Sequence, residues 1–182
     1  MKNNFIILDR DGVINEDSDE YIKSPDEFIP IAGSLAAIAK LNQAGYTVVV
    51  ATNQSGIARG YFDEATLHAM HAKLHDLLAA EGGNIDKIYY CPHGPDDSCE
   101  CRKPKSGMIS QILLDYNIEP DNIVAVGDSL RDLQAAQAVG VKSILVRTGK
   151  GRKTESQLPS QPLLADTPVF DNLAAAVSEL VR

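Results

Sequence analysis

Short apolar runs alternate with stretches of helical periodicity along this chain. Short runs that are apolar apart from a polar first residue in three of them predict buried strands at 5–8, 47–51, 87–90, 123–126 and 143–146. Apolar residues at helical spacing, with capping and stop signals, predict helices at 34–44, 63–81, 107–116, 130–138 and 173–180. The polar, proline-containing segment 154–168 predicts a surface loop. This alternation is typical of an α/β fold whose doubly wound parallel sheet is covered by helices on both faces.

Length and charge narrow the class of protein. The 182 residues and the short connections predict one domain, 1–182, without a large cap domain. The 25 acidic and 17 basic side chains give a formal net charge of −8, which argues against nucleic-acid binding. Every apolar run is far shorter than the ~20 residues of a membrane span. We therefore expect a soluble, cytoplasmic protein, monomeric and without a membrane partner.

Polar motifs follow four of the predicted strands. The first strand is followed by DRDG at 9–12 and the second by TNQSG at 52–56. A cysteine-containing loop follows the third strand and ends in RKP at 102–104, and GDS at 127–129 follows the fourth. The carboxyl ends of parallel strands share one edge of a sheet, which is where ligands bind in such folds. We therefore expect the four motifs to form one site.

The side chains in these motifs suit phosphoryl transfer. The carboxylates of Asp9, Asp11 and Asp128 make an oxygen-rich site of the kind that Mg²⁺ prefers. A carboxylate can attack phosphorus to form an acyl phosphate. A hydroxyl from Thr52 and an ammonium group from Lys103 would then stabilise charge on the transferred oxygens. The combination predicts a magnesium-dependent phosphatase acting on a small phosphorylated substrate.

The four motifs resemble those of the haloacid dehalogenase superfamily of phosphatases, in the same order. The resemblance implies that Asp9 is the nucleophile and Asp11 the general acid/base. It implies that Thr52 and Lys103 are the second and third motif residues, and that Asp128 begins the fourth, which extends to Asp132. It also implies that magnesium contacts the side chains of Asp9 and Asp128 and the main-chain carbonyl of Asp11.

The cysteine loop at 91–101 predicts a second metal site. Three thiols and one imidazole match a closed tetrahedral zinc site, whose ligands are Cys91, His93, Cys99 and Cys101. Four protein ligands leave no position for catalytic water, so the zinc would be structural. The alternative is three incidental buried cysteines.

A second group of histidines lies at helical spacing. His68, His71 and His75 could bind metal, but leucines and a methionine supply the core face of that helix. We expect a solvated polar face there.

A narrower resemblance covers nearly the whole chain. DRDGVIN at 9–15, TNQSG at 52–56, the zinc loop with RKP and VRTG at 146–149 resemble the heptose-bisphosphate phosphatase family and the related histidinol-phosphate phosphatases. The resemblance implies a phosphosugar substrate and a role in making activated heptose for bacterial surface polysaccharide. The substrate contacts that it implies are Asp17, Ser18, Asp19, Glu20, Asn53, Gln54, Ser55 and Arg102.

Two alternatives remain at this point. Arg102 would recognise the phosphate that is not cleaved, or would instead pack against the zinc loop or pair with Glu100. The fold also hosts phosphosugar-binding proteins without turnover, and the intact set of catalytic side chains argues against that class.

Overall fold

The computed structural model describes residues 4–182, which contain a six-stranded parallel sheet with helices on both faces. The strand order is β3-β2-β1-β4-β5-β6. The strands are β1 Phe5–Leu8, β2 Thr47–Asn53, β3 Lys87–Cys91, β4 Ile123–Gly127, β5 Lys142–Val146 and β6 Val169–Phe170. The helices are α1 Ser34–Gln43, α2 Glu64–Ala80, α3 Gly107–Tyr116, α4 Leu130–Gln137, α5 Gly151–Gln157 and α6 Leu173–Leu180. The predicted α/β class is confirmed.

The two faces of the sheet bury two separate hydrophobic clusters. In β1, Ile6 and Leu8 face one cluster, to which α1, α2 and α6 contribute. Phe5 and Ile7 face the other, to which α3 and α4 contribute. Because alternate residues of a strand point to opposite faces, a strand that is apolar at every position must be covered on both sides.

The prediction of a surface loop at 154–168 is wrong. Helix α5 extends to Gln157, and a 3-10 turn follows at Leu158–Ser160. The segment has no apolar periodicity, but Leu158 and Leu164 are buried against Leu133 of α4 and Leu145 of β5. The short edge strand β6, which was not predicted, pairs with the end of β5. Tertiary burial, rather than local sequence preference, determines the structure here.

The strand order places β1 between β2 and β4, where the direction of winding reverses. Leu8, the last residue of β1, is paired with Val50 on one side and Val126 on the other. Asp9 follows Leu8, and its N–H donates to Val126 O at 2.9 Å. A crevice forms at this switch point in open parallel sheets. Among the described residues, the helices are all too short or too polar to cross a bilayer.

Candidate active site

A cleft of about 300 Å³ lies at the carboxyl edge of the sheet. Most of the predicted catalytic, magnesium-binding and substrate-binding residues line it. They are Asp9, Asp11, Asp17, Ser18, Asp19, Asn53, Gln54, Ser55, Arg102, Lys103 and Asp128. Thr52 and Glu20 were predicted for the same site but do not line the cleft. Thr52 belongs to β2 and is fully buried, with its hydroxyl oxygen accepting from Gln54 Nε2 at 2.9 Å.

Lys103 is the cation at the floor of the cleft, and it is 4% exposed. Its Nζ donates to Asp9 Oδ1 at 3.0 Å and to Ala51 O at 2.7 Å, and lies 2.7 Å from Asp132 Oδ1. Burial alone would lower the pKa of Lys103, but the two carboxylates raise it, so the ammonium stays charged. The Asn53 side chain fixes the backbone of Lys103. Its Nδ2 donates to Lys103 O, and its Oδ1 accepts from Lys103 N, both at 3.0 Å.

Three carboxylates cluster at this end of the cleft, and two of them, Asp9 and Asp132, contact the Lys103 ammonium group. Oxygens of Asp9, Asp128 and Asp132 all lie within 4.8 Å of one another. Burial and the charge of Asp132 raise the pKa of Asp9 to about 7, and burial and the charge of Asp9 raise that of Asp128 to about 9. Burial also acts on Asp132, but Lys103 outweighs it and lowers the pKa of Asp132. Ionisation is therefore most strongly opposed at Asp9 and Asp128, and a hard cation bound between them would favour their carboxylate forms.

The Asp128 carboxylate lies close against the backbone of two glycines. Asp128 Oδ2 accepts from Lys150 N at 2.8 Å. A Cβ atom at Gly12 or at Gly149 would overlap that oxygen, and both glycines have positive φ. The two glycines thus form a cradle for the carboxylate that side chains would fill.

Asp11 is held by donors on both of its oxygens. Oδ1 accepts from Arg10 Nη2 at 2.8 Å, Arg10 Nε at 3.3 Å and Asn15 Nδ2 at 2.9 Å. Oδ2 accepts from Gln54 Nε2 at 2.9 Å. Burial favours the neutral acid, but the Arg10 guanidinium and these hydrogen bonds outweigh it and lower the pKa of Asp11. Asp11 is therefore an ordered carboxylate in the free protein.

His71 corrects the prediction of a solvated histidine face. His68 and His75 are exposed as expected, but His71 is 7% exposed and lies beneath the site. Its Nε2 is 3.2 Å from Nη1 of Arg10, which is fully buried. The sequence contained no signal for this pair, because 61 positions separate the two residues.

The predicted zinc ligands meet in one cluster beside the cleft. Ligand atoms of Cys91, His93, Cys99 and Cys101 lie within 4.8 Å of one another, and the three thiols are free. Burial raises the pKa of Cys91 to about 12. A buried neutral thiol next to two others is suited to a cation that would bind all three as thiolates.

Arg102 lies between the cleft and the cysteine loop. Its Nη1 donates to His93 O at 3.3 Å, so it packs against the zinc loop, while it also lines the cleft. Glu100 pairs instead with Lys105. Burial, followed by the charge of Arg131, lowers the pKa of Arg102. Arg131 and Lys150 also line the cleft, and sequence reasoning missed both.

Known proteins that are similar in sequence to this chain are hydrolases of one superfamily. The family model described as HAD-hydrolase-like (Hydrolase_like) matches residues 100–176. The D-glycero-beta-D-manno-heptose-1,7-bisphosphate 7-phosphatase of Pseudomonas aeruginosa is 57% identical, with 100% of each chain covered. The enzyme of the same name from Haemophilus ducreyi is 44% identical over 84% of this chain and 87% of its own.

Solved structures agree with these relatives. The D,D-heptose 1,7-bisphosphate phosphatase from B. bronchiseptica, solved in complex with magnesium and phosphate, has a TM-score of 0.93, 56% identity and 98% coverage of both chains. The corresponding phosphatase from Burkholderia thailandensis has a TM-score of 0.76, 46% identity, and 98% and 99% coverage. The chain therefore belongs to the D-glycero-D-manno-heptose-1,7-bisphosphate 7-phosphatase family of haloacid dehalogenase-like phosphoric monoester hydrolases.

Proposed function

We propose that this protein removes the 7-phosphate of D-glycero-β-D-manno-heptose 1,7-bisphosphate in a magnesium-dependent reaction. The observation that carries the proposal is the meeting of Asp9, Lys103 and Asp128 in one cleft of a chain with full-length similarity to phosphatases of that name. The names of those relatives specify the β anomer of the substrate, whereas the sequence alone does not indicate which anomer is used. The product would feed the synthesis of ADP- or GDP-activated heptose in the cytoplasm, for surface lipopolysaccharide.

Magnesium would bind the side chains of Asp9 and Asp128 and the main-chain carbonyl of Asp11. The fit is supported by the carboxylate oxygens within 4.8 Å of one another and by the raised pKa values of Asp9 and Asp128. Asp132 is paired with Lys103 and is not needed as a ligand. Bound there, the cation would neutralise charge on the phosphate and on the attacking carboxylate.

The reaction would proceed in two displacements at phosphorus. Asp9 attacks, an acyl phosphate forms on its carboxylate, and the bond from phosphorus to the sugar oxygen breaks. Asp11, a carboxylate in the free protein, would take up a proton when the phosphate monoester binds and give it to that oxygen. Water then attacks the acyl phosphate, Asp11 accepts the proton of that water, and inorganic phosphate leaves. Lys103 would stabilise charge on the phosphoryl oxygens; Thr52 suits that role less well, because it is buried behind Gln54.

Arg102 would bind the phosphate that is not cleaved. Its guanidinium lines the cleft together with Arg131, and the repulsion between these two cations favours an anion between them. Zinc bound by the cysteine loop would hold the segment that leads into Arg102 and Lys103. The remote phosphate would then orient the substrate for attack by Asp9.

A comparison of three substrates tests this function. Phosphate release with magnesium would be measured for β-heptose 1,7-bisphosphate, heptose 7-phosphate and histidinol phosphate, using wild type, Arg102→Ala and a control, Arg152→Ala. Arg152 is exposed on α5 and lies outside the cleft lining. We expect the bisphosphate to have the highest kcat/KM in wild type and in the control, and its advantage to shrink by at least about tenfold in Arg102→Ala.

The other outcomes point to other functions. A preference of the wild type for histidinol phosphate would replace the heptose assignment with histidinol-phosphate phosphatase. Binding of the bisphosphate without release of phosphate would indicate a non-catalytic phosphosugar-binding protein.

A further inference from the structure

We propose that His71 is a positioning residue for the reaction, acting through Arg10 to hold Asp11 so that Oδ2, and not Oδ1, is the oxygen that carries the transferred proton. The inference rests on the proposed role of Asp11 as general acid/base. His71 belongs to α2 and lies outside the four motifs that follow the strands.

The contact between His71 and Arg10 fixes the protonation of the imidazole. A guanidinium carries only donors, so a ring nitrogen 3.2 Å from Arg10 Nη1 must offer a lone pair. His71 Nε2 is therefore unprotonated, and the neutral ring carries its proton on Nδ1. Burial, followed by the charge of Arg10, lowers the pKa of His71 to about 3, in agreement with this geometry.

Arg10 is a fully buried cation with three fixed neighbours. Asp11 Oδ1 accepts from both Nε and Nη2, His71 accepts from Nη1, and the guanidinium carbon lies 5.5 Å from the ring centroid of Phe28. A buried charge is destabilising unless its donors are satisfied. Removing the acceptor on His71 would leave Nη1 without this partner and permit the guanidinium to turn away from Asp11.

The two oxygens of Asp11 are not equivalent. Oδ1 accepts three hydrogen bonds, two from Arg10 and one from Asn15, so it has no lone pair left for a proton. Among residues 4–182, the one donor to Oδ2 is Nε2 of Gln54, and Gln54 itself lines the cleft. The anchored Oδ1 thus fixes the carboxylate plane and leaves Oδ2 for proton exchange with the substrate oxygen and with water.

The test uses a matched pair of substitutions at His71. His71→Leu removes the acceptor, whereas His71→Gln places an amide oxygen near the position of Nε2. We expect His71→Leu to lower kcat for the heptose bisphosphate by about tenfold to a hundredfold, as for a misplaced catalytic group, with KM and magnesium activation unchanged. His71→Gln should recover most of the loss. His75→Leu, at an exposed histidine of the same helix, should match wild type.

A double-mutant cycle separates positioning from a general effect on folding. In the Asp11→Asn background, His71→Leu should cause no further loss, because the group that it positions is already inactive. A full additional loss in that background would overturn the inference. A wild-type kcat in folded His71→Leu, together with a slow Asp11→Asn, would also overturn the inference. That outcome would leave the proposed function intact. A wild-type rate in Asp11→Asn would instead overturn the proposed function.

Nitrogen NMR of histidine-labelled protein tests the contact without any assay of activity. We expect the signal of His71 to report a neutral ring protonated on Nδ1 at neutral pH. A proton on Nε2 would overturn the inference even if the Leu variant failed to fold.

Discussion

The Lys103 ammonium lies 3.0 Å from Asp9 Oδ1 at the end of the central strand. Burial raises the pKa of Asp9 and the positive charge of Lys103 opposes that rise. The ion pair therefore favours the anionic form of a buried carboxylate, next to where phosphate would bind, against the effect of burial. Lys103 belongs to a loop far along the chain from Asp9. Hydrogen bonds from the Asn53 side chain to the N–H and the carbonyl of Lys103 hold that loop in place.

Substitutions at Asp128 and Asp11 should separate metal binding from proton transfer. Asp128→Asn removes a proposed ligand and should weaken magnesium binding by at least about tenfold, measured by calorimetric titration. Asp11→Asn keeps the main-chain carbonyl, so it should bind magnesium nearly as wild type while kcat falls by about a hundredfold or more. Asp166→Asn, at an exposed carboxylate, serves as the control. Equal magnesium affinity in wild type and Asp128→Asn would refute the ligand assignment.

Metal analysis should find about one zinc per chain, as one four-ligand site requires. Cys99→Ser should lose that zinc and, because the loop leads into Arg102 and Lys103, should also lower activity. Ser98→Ala changes an exposed neighbour and should keep both metal and turnover. Full zinc occupancy in Cys99→Ser would show that the ligand set is wrong.

Acid should destabilise the fold partly through His71. An ordinary histidine has a pKa of 6.5, whereas burial and then Arg10 lower that of His71 to about 3. Between these values the unfolded chain binds the extra proton and the native protein does not, so stability falls as pH decreases from 6.5 towards 3. At about pH 5 the loss amounts to roughly 2 kcal/mol relative to neutral pH.

Urea unfolding at neutral pH and at about pH 5 measures this effect. His71→Gln cannot titrate there and should lose less stability on acidification than wild type does. His75→Gln, at the exposed histidine, should lose as much as wild type. Identical acid dependence in His71→Gln and wild type would count against a neutral, buried His71.

The sequence predicted the sheet and its edge because the central part of each of the five predicted strands is a continuous apolar run. A run such as Phe5–Leu8 can be buried only between two layers of helices, and parallel strands then bring DRDG, TNQSG, RKP and GDS to one edge. The cluster of Cys91, His93, Cys99 and Cys101 was also predictable, since its four residues lie in one short loop.

The contacts that lie beneath the site were not predictable from the sequence. Nothing in the DRDG motif marks Arg10 as buried, and its contact with His71 forms only when α2 packs against the sheet. Helix α5 was missed because its sequence is polar, while Thr154 Oγ1 donates to Asp128 O and so anchors the helix to the site. Such contacts depend on tertiary neighbours, which leave no periodic signal along the chain.

Detection of phosphate on Asp9 tests the central claim most directly. Enzyme mixed with magnesium and heptose bisphosphate would be quenched in acid during turnover, digested and analysed by mass spectrometry. We predict one phosphoryl group on the peptide that contains Asp9, in wild type but not in folded Asp9→Asn, whose turnover should be abolished. Near-normal turnover by Asp9→Asn, with no phosphorylated peptide at any time in wild type, would contradict the account.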